Sequence, residues 1–250
     1  MSFFVDGRVT ANRENEGLMR SLRQSLLGLS LTVLLPLGVA GCAQGVVTTT
    51  QQQDLVDRST LALQEMLGSS QSKDLVGTLR SARAVIICPQ VFKAGVVIGG
   101  SGGSCVLMGR AAAGSWSDPA FYSLGSGSFG PQIGVQDAEL MIMIMNDRAL
   151  TAVMNDRFKL GGDASFSAAS IGAGVGGATT TAMRADIVTF AKTRGLYAGA
   201  SIEGSVLSAD PKGNAAYYGK PYSAPEVAVQ MLANNPGANP LRQTLSTYGG

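Results

Sequence analysis

The sequence predicts an α+β fold: a Gly-rich, mainly antiparallel, barrel-like β-sheet body with two N-terminal helices, one short middle helix and a C-terminal helix. Three observations lead there. Two leading segments repeat apolar residues at helical spacing. From Ala84 onward, apolar runs of strand length recur between Gly and Ser clusters. Regular helix–strand alternation is missing, which argues against a doubly wound sheet. The 33 glycines of the 250-residue chain suit strands that bend, bulge or approach another backbone closely.

The elements follow in order. Asp54 to Leu67 places Val56, Thr60, Leu63 and Leu67 on one helical face, and Gly68 ends it. Ser72 caps a second helix through Ala82, with Leu75, Val76 and Leu79 inward. The run "AVIIC", closed by Pro89, reads as a strand buried on both faces. "AGVVIGG", "SCVLMGR", "AFYSLGSGSFG" and "PQIGVQ" follow as further strands. "ELMIMIM" is wholly apolar and reads as a central core strand. Its methionines also suit a lipid pocket, because Met adapts to irregular apolar shapes. Asp147 caps a short helix to Met154. "DASFSAAS" and "ADIVTFAK" are strands separated by a Gly/Thr/Ala loop, and "GLYAGASIEGSVLS" is a late strand pair. In "SAPEVAVQMLANN", Ser223 and Glu226 form a capping box on the terminal helix. Residues from Pro236 onward are expected to fray.

The N-terminus carries a separate message. Arg20 and Arg23 precede an apolar stretch, Leu26 to Val39, of signal-peptide length. It is shorter than the ~20 residues that span a bilayer. Val39-Ala40-Gly41-Cys42 then resembles the lipobox of a bacterial lipoprotein, which implies acylation (palmitate-like chains) at Cys42. Met19 offers a more natural start than Met1. Ala43 after the cysteine implies sorting to the outer membrane, facing the periplasm. The expected organisation is therefore a leader over 1–42, a tether over 43–53, a domain over 54–234 and a tail over 235–250.

Composition narrows the chemistry. With 19 Lys+Arg against 17 Asp+Glu, the chain has no basic excess of the kind that binds nucleic acid. Histidine is absent, which removes Ser-His-Asp and Cys-His catalysis and the commonest metal ligand. No cofactor or metal is expected. Cys88 and Cys105 form either a disulfide or two buried thiols, and the apolar runs around them suit thiols at least as well. "GSGSFG" from Gly125 and "GAGVGG" from Gly172 match a dinucleotide fingerprint by letter only, without its strand–turn–helix context. Asp118, Asp137, Asp147, Asp156, Asp163 and Asp186 lie mostly at turns and caps, with no pair at catalytic spacing. Ser72-Lys73 lacks the motifs of a Ser-Lys nucleophile. The chain is read as non-catalytic.

The stretch "SARAVIICPQVFKAGVVIGGSGGSCVLMGR" resembles the opening signature of the SYLF domain family. "WSDPAFYSLGSGSFGPQIGVQDAELMIMIMNDRAL", "FKLGGDASFSAASIG" and "ADIVTFAKTRGLYAGASIEGSVLSADPKGNAAYYG" resemble its later blocks, so the likeness covers Asp54 to Asn234. Cys88 replaces the usual Phe, and Thr193-Arg194 replaces a basic-plus-small pair; neither touches the glycine framework. The resemblance implies lipid binding, to anionic phospholipid or phosphoinositide-like head groups. Some relatives of that family bind actin, which is not expected of an envelope lipoprotein. A protein partner, reached through the sheet or the first helices, is the alternative.

Candidate lipid contacts follow from residue chemistry. Lys93, in a loop between strands, offers a point charge to phosphate. Arg110 ends a strand, and Arg80 and Arg83 at the end of the second helix join it and Lys93 in a local basic patch. Lys93 and Arg110 also read as solvated surface cations, and Arg80 and Arg83 as helix-end cations with surface partners. Trp116, the single tryptophan, suits a bilayer interface or a packing site. Tyr217, Tyr218 and Tyr222 suit an interfacial belt, with packing against the last helix as the alternative.

Overall fold

A computed structural model describes residues 47–68, 73–95, 98–129, 134–155, 157–161, 166–172, 185–194 and 204–250. The expectations for Cys42, for the Ser72 cap and for the Gly/Thr/Ala loop lie outside these residues. From Val46 to Gly250 the chain forms one unit.

Helix α1 runs Thr49–Leu67, five residues earlier than the apolar spacing implied. Thr48 is its N-cap, forming a reciprocal capping box with Gln51. That box satisfies two otherwise orphaned N–H groups, which draws residues 49–53 out of the expected tether. Helix α2 spans Lys73–Ser81. Four long strands follow: β1 Ala84–Gly95, β2 Ile98–Gly109, β3 Ala120–Phe129 and β4 Gly134–Ile144. Then come α3 Asp147–Val153, β5 Arg157–Lys159, β6 Ala168–Gly172, β7 Ile187–Arg194 and β8 Val206–Ala209. Asn146, not Asp147, caps α3, its side chain accepting from the Ala149 N–H at 2.9 Å.

The eight strands form one sheet in the order β5-β8-β3-β2-β1-β4-β7-β6, curled into a half-barrel. All its pairings are antiparallel except β6 with β7. The fold is α+β, as expected. Ile98–Gly100 of "AGVVIGG" lies in one strand, β2, with "SCVLMG", while its Ala94-Gly95 ends β1; Gly134–Gln136 of "PQIGVQ" joins "ELMIMI" in β4.

The sheet is covered on both faces, which explains its uninterrupted apolar runs. On one face Ile86, Cys88, Leu140 and Ile142 pack beneath α3. On the other, Val85, Ile87, Met141 and Met143 pack beneath α1 and α2. The "MIMIM" residues are therefore core. Cys88 and Cys105 are joined by a disulfide across β1 and β2, and both are fully buried. This corrects the preference for free thiols. The register brings the two residues opposite one another, because Ile87 pairs with Val106 in the adjacent step.

Pro89 does not close β1; the strand continues through it. Between Ile87 and Phe92 the register with β2 shifts, and between Cys88 and Val91 the register with β4 shifts. Against each neighbour β1 carries one extra residue. A bulge tolerates proline because no ladder N–H is required there. It also inverts the alternation of side chains: Cys88 and Val91, odd-spaced, share one core face. Phe92 is thereby turned to the α1 side. Gly103 of β2 faces the bulge, where a Cβ would lie 2.4 Å from the Gln90 carbonyl oxygen.

The C-terminal quarter departs most from expectation. Helix α4, Pro211–Tyr218, is capped by Asp210 and ends at Gly219, whose φ of 67° favours glycine. The Ser223–Glu226 box starts a helix, α5, but it covers only Ala224–Ala228. Met231 follows at a φ of 54°, which no helix can incorporate. A 3₁₀ turn, Pro236–Ala238, leads into α6, Asn239–Gly249. Far from fraying, α6 buries Leu241 and Leu245 completely in the core shared with α1 and α2.

Candidate functional site

Four of the expected lipid contacts meet at one end of the sheet, where they hold the fold together. Arg110 donates through Nη2 to the carbonyls of Gly249 and Gly250, at 3.0 and 2.7 Å, and through Nη1 to the Arg80 carbonyl at 2.5 Å. A cation at a helix C-terminus satisfies its last carbonyls and opposes its dipole. The Arg110 guanidinium also lies 5.5 Å from the ring centre of Trp116. Arg80 Nε donates to the Tyr248 carbonyl at 3.3 Å. Arg83 pairs with Asp147 at 2.8 Å. Trp116 is buried, at 4 % exposure, so it packs the core and cannot meet a bilayer.

Lys93 is not part of this cluster. It lies within β1, opposite Ser101 and Gln136 rather than in a loop. The length of β1, ~30 Å at about 3.3 Å per residue, separates it from Arg83. The tyrosine belt is also internal. Tyr217 is buried and sits edge-on to Phe121 at 5.1 Å, and the Tyr218 hydroxyl donates to the Pro119 carbonyl at 2.6 Å.

A polar hub pins the C-terminal segment to this body. Asp118, buried, accepts from the Asn235 N–H at 3.2 Å and from Arg242 Nη1 at 3.4 Å. Burial pushes its carboxyl above the ordinary range, against the opposing pull of Asn235 and Arg242. Burial, and then the Asp118 charge, push the phenols of Tyr217 and Tyr218 up. Gln53 of α1 closes the network, donating to the Gly237 carbonyl at 3.1 Å.

An open feature of the described surface lies elsewhere, between α1 and the β1 bulge. Two adjoining hollows share Arg58, Pro89 and Gln90. One, of about 290 Å³, adds Phe92, Gly103 and Ser104. The other, of about 340 Å³, adds Leu61, Glu65, Asp137 and Glu139. Phe92 is 50 % exposed and Leu61 64 % exposed. Gln90 Nε2 donates to Asp137 Oδ2 at 3.0 Å, and Glu65 pairs with Lys192. Arg58 Nε donates to the Asp54 carbonyl at 3.4 Å, leaving the rest of its guanidinium at the groove. None of these residues stood out from spacing alone. The available signals were Leu61 off the apolar stripe of α1 and a phenylalanine just after a proline-bearing strand.

Among the described residues, no group of three or more acidic or thiol side chains is placed to hold a metal ion. No helix there is long and apolar enough to cross a membrane. Comparison with known proteins then places the chain. Residues 125–248 match the family model described as Ysc84, Las17-binding protein actin regulator. The chain carries a Ysc84/SYLF family domain. It is 31 % identical over 193 residues to the SH3 domain-containing protein PJ696.02 of Schizosaccharomyces pombe, covering 76 % of this chain and 43 % of that protein. The human SH3 domain-containing YSC84-like protein 1 is 32 % identical over 129 residues, 51 % of this chain and 38 % of its own. Protein YSC84 of Saccharomyces cerevisiae is 27 % identical over 172 residues, 68 % of this chain and 36 % of its own. The chain thus spans less than half of each of these relatives. The Ysc84 match begins within β3 and ends within α6. The family is described by what its members bind and regulate, not by a reaction.

Proposed function

We propose that this chain is a lipid-anchored, non-catalytic protein of the bacterial envelope whose Ysc84/SYLF domain binds membrane phospholipid through the groove beneath α1. The observation that carries the reading is the exposure of Phe92 and Leu61, one in each half of a groove that shares Arg58. A large apolar side chain left in water forgoes ~1.5–3 kcal/mol of burial, which an acyl layer would restore. A neighbouring guanidinium suits phosphate. The leader pattern ending at Cys42 supports the tether. A buried Cys88–Cys105 disulfide suits an oxidising compartment. Acyl chains on Cys42 would hold the domain against the bilayer, where a weak contact is enough. The expected basic patch moves accordingly, since Arg83 and Arg110 are engaged within the fold.

Two experiments test this. An alkyne-tagged palmitate analogue should label the cellular protein, and Cys42→Ser should abolish both the label and membrane retention. The processed chain bearing Cys42→Ser should cosediment with phospholipid vesicles, and Phe92→Ser with Leu61→Ser should weaken that at least tenfold. Retention no better than buffer rejects lipid binding. The family description as a Las17-binding actin regulator favours a second reading, a protein partner. Crosslinking in intact cells to one dominant protein, without vesicle binding, would establish that instead.

A further inference from the structure

We propose that the Cys88–Cys105 disulfide is a redox gate on the groove beneath α1: the groove takes its binding shape only in chain that has folded with this bond closed. This rests on the lipid-binding reading above and names its regulation. The bond stands at the border between two unlike halves of the β1–β2 pair. In the inner half, Val85, Ile86 and Ile87 pair with Met108, Leu107 and Val106, and all six are fully buried. In the outer half, Phe92, Ala94 and Gly95 pair with Gly102, Gly100 and Gly99. Glycine offers no side chain to a cross-strand partner, so the outer half of β2 adds little to the backbone ladder. Between the halves, residues 88–91 face residues 103–105 across the register shift, without regular ladder pairs. Here the covalent bond carries order from the core half of the pair to the outer half.

The groove is built on that border. Pro89 and Gln90, which follow Cys88, line both hollows. Gly103 and Ser104, which precede Cys105, line the smaller one, and Phe92 begins the outer half. The bulge rests on Gly103, where a Cβ would lie 2.4 Å from the Gln90 carbonyl oxygen and 3.0 Å from Val91 Cγ2. The sulfur bridge clamps the strands beside this contact. Without it the bulge is free to shift against β2, taking the Gln90 amide and Phe92 with it. Both cysteines are fully buried, so exchange reaches them only before β1 and β2 close. The bond forms by thiol–disulfide exchange. One cysteine thiolate attacks a donor disulfide, and the second cysteine displaces the donor from the mixed disulfide. The donor leaves as a dithiol, carrying the two electrons and the two protons. Donors of that class act in oxidising compartments. The groove is therefore completed where the chain folds oxidised, and stays incomplete where it folds reduced.

The test uses the processed chain bearing Cys42→Ser, in which Cys88 and Cys105 are the only cysteines. One portion is refolded oxidised; the other is reduced with a phosphine while unfolded and refolded in its presence. Circular dichroism and Trp116 emission establish that both are folded. The oxidised chain should bind vesicles of phosphatidylcholine mixed equally with phosphatidylglycerol about tenfold tighter than the reduced chain. Amides of residues 92–95 and 99–102 should exchange with deuterium at least tenfold faster in the reduced chain, with a smaller change over residues 84–87. Cys88→Val with Cys105→Ala refills the space without the bond, and it should match the reduced chain; it also serves where the reduced chain does not refold. Equal vesicle affinity of bonded and unbonded folded forms, or equal exchange of the outer amides, overturns the gate and leaves lipid binding standing. Vesicle binding by none of the forms overturns both.

Discussion

Breaking the Cys88–Cys105 bond should lower stability by about 3 kcal/mol. The two residues are 17 apart. Closing a loop of that length removes about 10 cal/mol/K from the unfolded chain, or about 3 kcal/mol at 25 °C. Both cysteines are fully buried in the β1–β2 pair at the centre of the sheet. Reductant must therefore wait for that pair to open, so native protein should resist a mild phosphine far longer than partly denatured protein. The assay is equilibrium unfolding in urea, followed by circular dichroism, for oxidised protein and for protein reduced while unfolded and then refolded. Reduction leaves both sulfur atoms in place, so the comparison isolates the crosslink from packing. Cys88→Ala with Cys105→Ala should be weaker still, because it also empties part of the core. Coincident transitions for oxidised and reduced protein would refute the loop-closure argument. Rapid reduction of the native state would refute the protection assigned to the sheet.

Three other outcomes are expected. Gly109→Ala should cost ~1–3 kcal/mol by overpacking, because its Cβ would sit 2.0 Å from the Ala228 carbonyl oxygen; an unchanged urea midpoint would contradict the close packing of α5 on β2. Leu241→Ala should cost ~2–5 kcal/mol, as Leu241 is fully buried, whereas a dispensable tail would show no change. The Asp186 carboxyl is held at about 2, below its ordinary 3.8, first by the Ser167 N–H and hydroxyl and then by Asn146. The sign is that of a depressed acid: its contribution to stability is present above pH 3.8 and disappears as pH falls toward 2. Thermal melts across that window should show the loss in the parent protein and a flatter profile in Asp186→Asn.

Much of the body was legible because burial leaves a plain mark on sequence. "AVIIC" and "ELMIMIM" read as strands covered on both faces, and Val85 to Cys88 and Leu140 to Ile144 are almost completely buried between two helical layers. Pro89 misled because its usual role as a strand terminator depends on ladder hydrogen bonds, and a bulge removes that requirement. Helix α6 was hidden for a different reason. Its core contribution comes mainly from Leu241 and Leu245, in a segment that is otherwise polar and holds two prolines, and the contacts that seat it come from α1, Asp118 and Arg110, far away in sequence. The site followed the same division. Arginine as a helix-end cation was readable at Arg80, in the last turn of α2, but the Arg83–Asp147 pair and the closing of α6 by Arg110 depend on where residues 147, 249 and 250 arrive. The groove depended on the bulge that turns Phe92 outward, an effect of one unpaired residue that no periodicity records.

Trp116 carries a practical consequence. It is the chain's single indole, and its ring lies against Gly249, where an added Cβ would come within 3.2 Å of it. Its intrinsic fluorescence therefore watches one seam, the seat of the closing helix, with no background from other tryptophans. Detachment of that helix can be timed in unlabelled protein, on vesicles or off them, separately from melting of the sheet.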